Sequence, residues 1–135
     1  FDIAHGAGLA AIWGSWARYV LKQNPCRFAQ LAVNVLNVPY SFGNDEKTAL
    51  EGIAAMEDFF RSIGMPTSIS DMEIELTDTQ IKELAHKCSF MGRRTIGGFV
   101  TLNAADMENI YGWPDKTAAI LAAETFTLFK TQRTS

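Results

Sequence analysis

Ile3-Ala4-His5-Gly6-Ala7-Gly8-Leu9-Ala10-Ala11-Ile12-Trp13-Gly14-Ser15-Trp16-Ala17-Arg18-Tyr19-Val20-Leu21 decides how the rest of the chain is read. Leu9, Ile12, Trp13, Trp16 and Val20 recur at helical spacing and form one broad apolar stripe. Ala10, Ala11 and Ala17 keep the other side small, so a second helix can approach there. A helix that is apolar on most sides is central, and the spacing predicts one from about Ala4 to Gln23. Two tryptophans on such a stripe are core residues in preference to ligand-stacking ones. This run comes nearest to the roughly 20 apolar residues that cross a bilayer. However, Asp2, His5 and Arg18 flank or interrupt it, and no basic secretory start precedes it. The expectation is a cytoplasmic protein with no membrane partner.

Outward from this stretch, the signals stay helical. Asn24-Pro25 reads as a cap followed by proline in the first turn of a second helix, which carries Phe28, Leu31, Ala32 and Val35 to about Asn37. Val38-Pro39 stops it, because proline drives the preceding residue out of helical geometry. After a turn at Gly43-Asn44, a third helix carries Ala49, Leu50, Ile53, Met56 or Glu57, Phe60 and Ile63. Its cap is Asn44 or Asp45, and Gly64 and Pro66 mark its end. Thr67 to Leu76 is a connector. Thr77 and Gln80 match a capping box ahead of a fourth helix with Ile81, Leu84, Ala85 and Cys88. Phe90 to Leu102 is irregular, and Asn103 caps a short fifth helix with Met107, Ile110 and Tyr111. From Gly112 the texture changes: Trp113-Pro114 is a break, and residues 117–130 are loosely helical. The fold class is therefore all-α.

The 135 residues suffice for one domain with a core. A net charge of -3, with only Arg93-Arg94 adjacent among the basic residues, gives no footprint for nucleic acid. Cys26 and Cys88 lie in no metal-like spacing and read as two free, buried thiols in a reducing compartment.

Few residues offer chemistry. His5 is one of only two histidines, and Gly6 and Gly8 follow it at a cost of roughly 1 kcal/mol of helix stability each. Glycines there admit a ligand, a metal shell or another backbone. On these residues alone, a histidine that merely packs at a helix start outweighs a ligand, because a metal site needs three or four donors. His86 and Cys88, two positions apart on a helix, point in different directions, so His86 reads as a surface or half-buried residue. Arg93-Arg94-Thr95-Ile96-Gly97-Gly98-Phe99 offers backbone amides and arginines to an anion. A tight loop packing back on the first helix is the stronger reading. No phosphate-binding loop, dinucleotide fingerprint or nucleophile motif occurs.

Several motifs together resemble the C-terminal part of the iron-containing alcohol dehydrogenases, nearest to their NADH-dependent butanol dehydrogenase branch. They are Asp2-Ile3-Ala4-His5-Gly6-Ala7-Gly8-Leu9-Ala10, Trp16, Phe59-Phe60 with Gly64-Met65-Pro66-Thr67, and Gly97-Gly98-Phe99 leading to Asn109-Ile110-Tyr111. The resemblance covers residues 1–111. It implies a helical bundle of the dehydroquinate synthase-like kind, in part, beside a separate α/β domain that binds NAD or NADP. It implies a divalent metal, iron or zinc, held by one aspartate and three histidines. His5 matches the last of those histidines; the other three ligands would fall before Phe1. The metal would act as a Lewis acid on the oxygen of a small alcohol or aldehyde, with hydride exchanged with the nicotinamide.

Two expectations follow for this chain. Phe1 is not a start methionine, so the chain reads as a piece of a metal-dependent alcohol dehydrogenase. With one of four ligands and no nucleotide domain, it is expected to be inactive by itself and to bind no cofactor alone. The alternative is a free-standing helical module derived from that domain, which binds or self-associates, for instance as a homodimer. Residues 112–135 do not resemble the family and are expected to form a divergent, helical tail in either case.

Overall fold

A computed structural model describes residues 2–113, and the loose helix expected over 117–130 lies outside them. The described part contains five α-helices: α1 (His5–Val20), α2 (Pro25–Leu36), α3 (Asp45–Ser62), α4 (Asp78–Cys88) and α5 (Ala104–Tyr111). Among the described residues the only β pairing is one antiparallel bridge, Ile96 with Leu102. The all-α expectation holds.

The local signals act as chemistry requires. Helix α1 passes through a 3-10 turn, Leu21–Gln23, before Asn24 breaks it and Pro25 starts α2. Asn37 ends α2 in the left-handed region (φ 54°), which asparagine tolerates, and the Val38 N–H reaches back to the Ala32 carbonyl at 3.0 Å. The Asn44 side chain caps α3 by accepting from the Lys47 N–H at 2.9 Å. Gly64, at φ 75°, closes α3, with the Met65 N–H bonded to the Phe60 carbonyl at 2.9 Å. The capping box of Thr77 and Gln80 is formed, and Asn103 with Asp106 makes a second one on α5.

Helix α1 packs on α3 and α5, α2 lies along α3, and α4 pairs with α5. The core gathers Ala17, Val20, Leu21, Phe28, Ala49, Ile53, Leu102 and Ile110. Trp13 meets Phe60 edge-on at 5.9 Å, and Trp16 packs on Phe28 and Phe99 at 6.0 and 6.3 Å. Both tryptophans are thus packing residues. The small side of α1 is buried more completely than its large stripe. Ala10, Ala11, Gly14 and Ala17 are buried, whereas Leu9 is 59% exposed. Close backbone approach explains this: small residues admit the neighbouring helices, and the outermost turn of the stripe is left uncovered.

Two contacts show how close the approach is. A Cβ on Gly52 of α3 would stand 2.4 Å from the Ala32 Cβ of α2. A Cβ on Gly14 would stand 1.8 Å from the Glu57 Oε1. Glu57 is 1% exposed and is held by Arg18, whose guanidinium donates to both carboxylate oxygens at 2.7 and 3.0 Å. This pair ties α1 to α3 through their buried faces.

Candidate functional site

His5 is the first residue of α1, and its side chain is exposed. Ala4 precedes it without a side-chain cap, and no acidic residue occupies the first turn. Nothing in the helix itself therefore steadies this end. The segment after α3 approaches this turn, since a Cβ added to Gly6 would stand 4.0 Å from the Met65 Cε. A cleft of about 660 Å³ runs between them, lined by Asp2, Ile3, Ala7, Arg61, Met65 and Asp71 among others.

Asp71 organises that segment. Its Oδ2 accepts from the Thr67 N–H at 2.8 Å, the Thr67 hydroxyl at 3.1 Å and the Ser68 N–H at 3.1 Å. Burial pushes its carboxyl upward, but the bonds from Thr67 and Ser68 together outweigh this and hold it below the ordinary value. Burial, followed by the repulsion of Arg61, lowers the affinity of Arg18 for its proton.

A metal needs several donors, and among the described residues no group of three or more His, Cys, Asp or Glu side chains converges. His5 offers one imidazole, enough for one position of a shell that takes three or four protein ligands. The described residues by themselves do not fit a metal.

The other sequence candidates are dispersed. His86 is exposed on α4, as its spacing implied. Cys26 and Cys88 are free, but Cys26 is exposed, because the first turn of α2 faces outward, and Cys88 is half-buried. The glycine-rich segment packs back on α1 through Phe99, and Gly97 at φ 105° makes its turn. Arg94 lies over the Phe90 ring at 3.7 Å. The tight-loop reading holds there.

Sequence reasoning missed the Arg18–Glu57 pair and the Asp71 cluster. The first had a signal, since Glu57 falls at a core position of its helix and Arg18 lies in the apolar run. Two charges at core positions call for each other. The second had none, because Asp71 lies in a connector without periodicity.

Comparison with known proteins adds the family. The C-terminal model of the Fe-containing alcohol dehydrogenase family matches residues 1–113. The chain is 39% identical over 110 residues to Probable NADH-dependent butanol dehydrogenase 1 of Bacillus subtilis, covering 82% of this chain and 27% of the relative. It is 28% identical over 112 residues to NADH-dependent butanol dehydrogenase A of Clostridium acetobutylicum, covering 82% and 28%. The crystal structure of NADH-dependent butanol dehydrogenase A from Thermotoga maritima superposes with a TM-score of 0.69 at 26% identity, over 82% of this chain and 28% of that one. The chain thus spans between a quarter and a third of the length of these relatives. Because the family match spans residues 1–113 of the 135, the chain belongs to the Fe-containing alcohol dehydrogenase family, in its C-terminal part.

Proposed function

We propose that these residues serve as the helical part of a metal-dependent alcohol or aldehyde oxidoreductase of the butanol dehydrogenase kind, linked to NAD(P)H. His5 supplies one neutral imidazole to a divalent metal, iron or zinc, whose other donors lie outside the described residues. The observation that carries this reading is an exposed histidine at the head of α1 within the family match over residues 1–113. The 135-residue chain by itself is proposed to be inactive, since its relatives' activity belongs to proteins of which it spans 27–28%.

The test is a chimera in which residues 1–113 replace the matching part of the Bacillus subtilis relative. It is expected to oxidise NADH with butanal in a metal-dependent way and to contain stoichiometric metal. His5→Ala should remove both, by at least about 100-fold in rate, since even outer-shell changes cost 10–100-fold. Retention of metal by a folded His5→Ala chimera would overturn the ligand role. Metal-dependent turnover by the 135-residue chain alone would overturn its proposed inactivity.

A second reading, self-association, is favoured by a different observation: Leu9, Phe59 and Ile63 are 59, 51 and 55% exposed. A homodimer is expected in sedimentation equilibrium on that reading, and a strict monomer would count against it.

A further inference from the structure

We infer that Gly8, with Leu9 beside it, is the seat of an apolar polypeptide segment from the remainder of the enzyme, packed against the head of α1. The inference rests on the reading of the chain as one part of a larger dehydrogenase, and it does not depend on His5 as a metal donor. Glycines lie inside two of the helices: Gly6, Gly8 and Gly14 in α1 and Gly52 in α3. Glycine costs helix stability relative to alanine, so one kept there calls for something that a side chain would obstruct. At Gly14 and Gly52 the obstruction is internal, since an added Cβ would strike the Glu57 Oε1 or the Ala32 Cβ. At Gly6 it would only touch the Met65 Cε, at 4.0 Å. At Gly8 it would meet nothing within 4 Å among the described residues. No neighbour in the described body makes use of its smallness.

The surroundings of Gly8 say what belongs there. Spacings of three and four residues put Gly8, Leu9, Ile12 and Trp16 on one face of α1. The far half of this face is covered: Trp16 packs on Phe28 and Phe99, and Ile12 packs against the core. The near half is bare, with Leu9 59% exposed. An apolar face that is packed at one end and open over a glycine at the other fits a continuation of the same packing. Its occupant is an apolar stretch of chain whose backbone comes as near to Gly8 as α2 comes to α3 at Gly52. A polar ligand would leave Leu9 without a use. The relatives account for where such a stretch comes from. The chain spans 27–28% of their length, so most of the polypeptide of an enzyme of this kind lies outside it. Residues 114–135 and a second copy of the chain are the competing occupants.

A change of sign between two proteins tests this. Gly8→Ala and Gly8→Leu are made in the 135-residue chain and in the chimera, and urea midpoints are measured with a chelator present, so that metal makes no contribution. In the chain, Gly8→Ala is expected to raise the midpoint, because alanine is the better helix former and meets no obstruction. In the chimera the same substitution is expected to lower it, and Gly8→Leu to lower it further, as overpacking does. Leu9→Ser should leave the chain nearly unchanged and lower the chimera's midpoint. Gly14→Ala, whose obstruction is internal, should lower both. Gly8→Ala covers the case in which Gly8→Leu prevents the chimera from folding. A rise with Gly8→Ala in both proteins would overturn the inference, since the face would then be bare in the enzyme too. A fall in the 135-residue chain would overturn it as well, with residues 114–135 or a second copy as the occupant; sedimentation equilibrium of the Gly8→Leu chain separates those two. Failure of the functional reading would instead show as a chimera without turnover in which the change of sign persists.

Discussion

Gly14 is where helix propensity and packing give opposite answers. Propensity alone favours alanine over glycine inside a helix by about 1 kcal/mol. Yet an added Cβ would meet the Glu57 Oε1 at 1.8 Å and the Arg18 Nη1 at 3.0 Å. Glu57 is buried, so its carboxylate has nowhere to move without losing Arg18. Breaking such a pair leaves an uncompensated charge, at a cost of about 3–5 kcal/mol. Packing therefore wins, and Gly14→Ala should destabilise the protein by an amount of that order in urea denaturation, as should Arg18→Ala. A Gly14→Ala protein more stable than wild type would show that the pair contributes little. Replacing both charges, as Arg18→Met with Glu57→Leu, should come close to neutral.

Among the elements, α5 shows one side chain with two partners. One oxygen of Asp106 accepts from the Asn103 N–H at 2.8 Å, completing the cap, and the other accepts from the Tyr19 hydroxyl of α1 at 2.6 Å. The bond from Tyr19, then that from Asn103, holds the Asp106 carboxyl below its ordinary value. Asn103→Ala should cost about 1 kcal/mol, as lost caps do. Asp106→Ala should cost roughly twice that, because a second hydrogen bond goes with it. Tyr19→Phe should add little in the Asp106→Ala background; equal costs for the two single variants in thermal denaturation would contradict this. Asn103 and Thr77 were legible as caps because a cap is a local pattern over four residues. The link from Asp106 to Tyr19 was not, since its partners lie 87 residues apart. Periodicity likewise predicted Leu50 and Ile63 on the apolar stripe of α3, but they are 40 and 55% exposed. A period gives the face of a helix and says nothing of where its neighbours end. The ligand role proposed for His5 rests on family resemblance alone, because one imidazole carries no pattern of its own.

At the scale of the whole molecule, its three tyrosines give it an alkaline limit. Burial, and after it the hydrogen bond with Cys88, pushes Tyr111 up to about 12. Tyr19 and Tyr40 are raised as well, first by their bonds to Asp106 and Asp45. A phenol whose value is raised in the fold stabilises it fully below its ordinary value of 10.0, and this contribution is lost as pH climbs through the folded value. The denaturation midpoint should therefore fall between pH 10 and about 12, and Tyr111→Phe should flatten that fall. A midpoint insensitive to pH across this window would contradict the assignment.

The close seat of Gly52 against Ala32 has a further consequence, for the order in which the chain can come together. These residues are 20 apart, Arg18 and Glu57 are 39 apart, and Tyr19 and Asp106 are 87 apart. Each span is close to twice the one before it, and each doubling adds only about 0.6 kcal/mol to the entropy of loop closure. Of these three contacts, the one within the α2–α3 hairpin is thus the least costly to close. On closure entropy alone, each of the two longer-range contacts costs only about 0.6 kcal/mol more than the one before it.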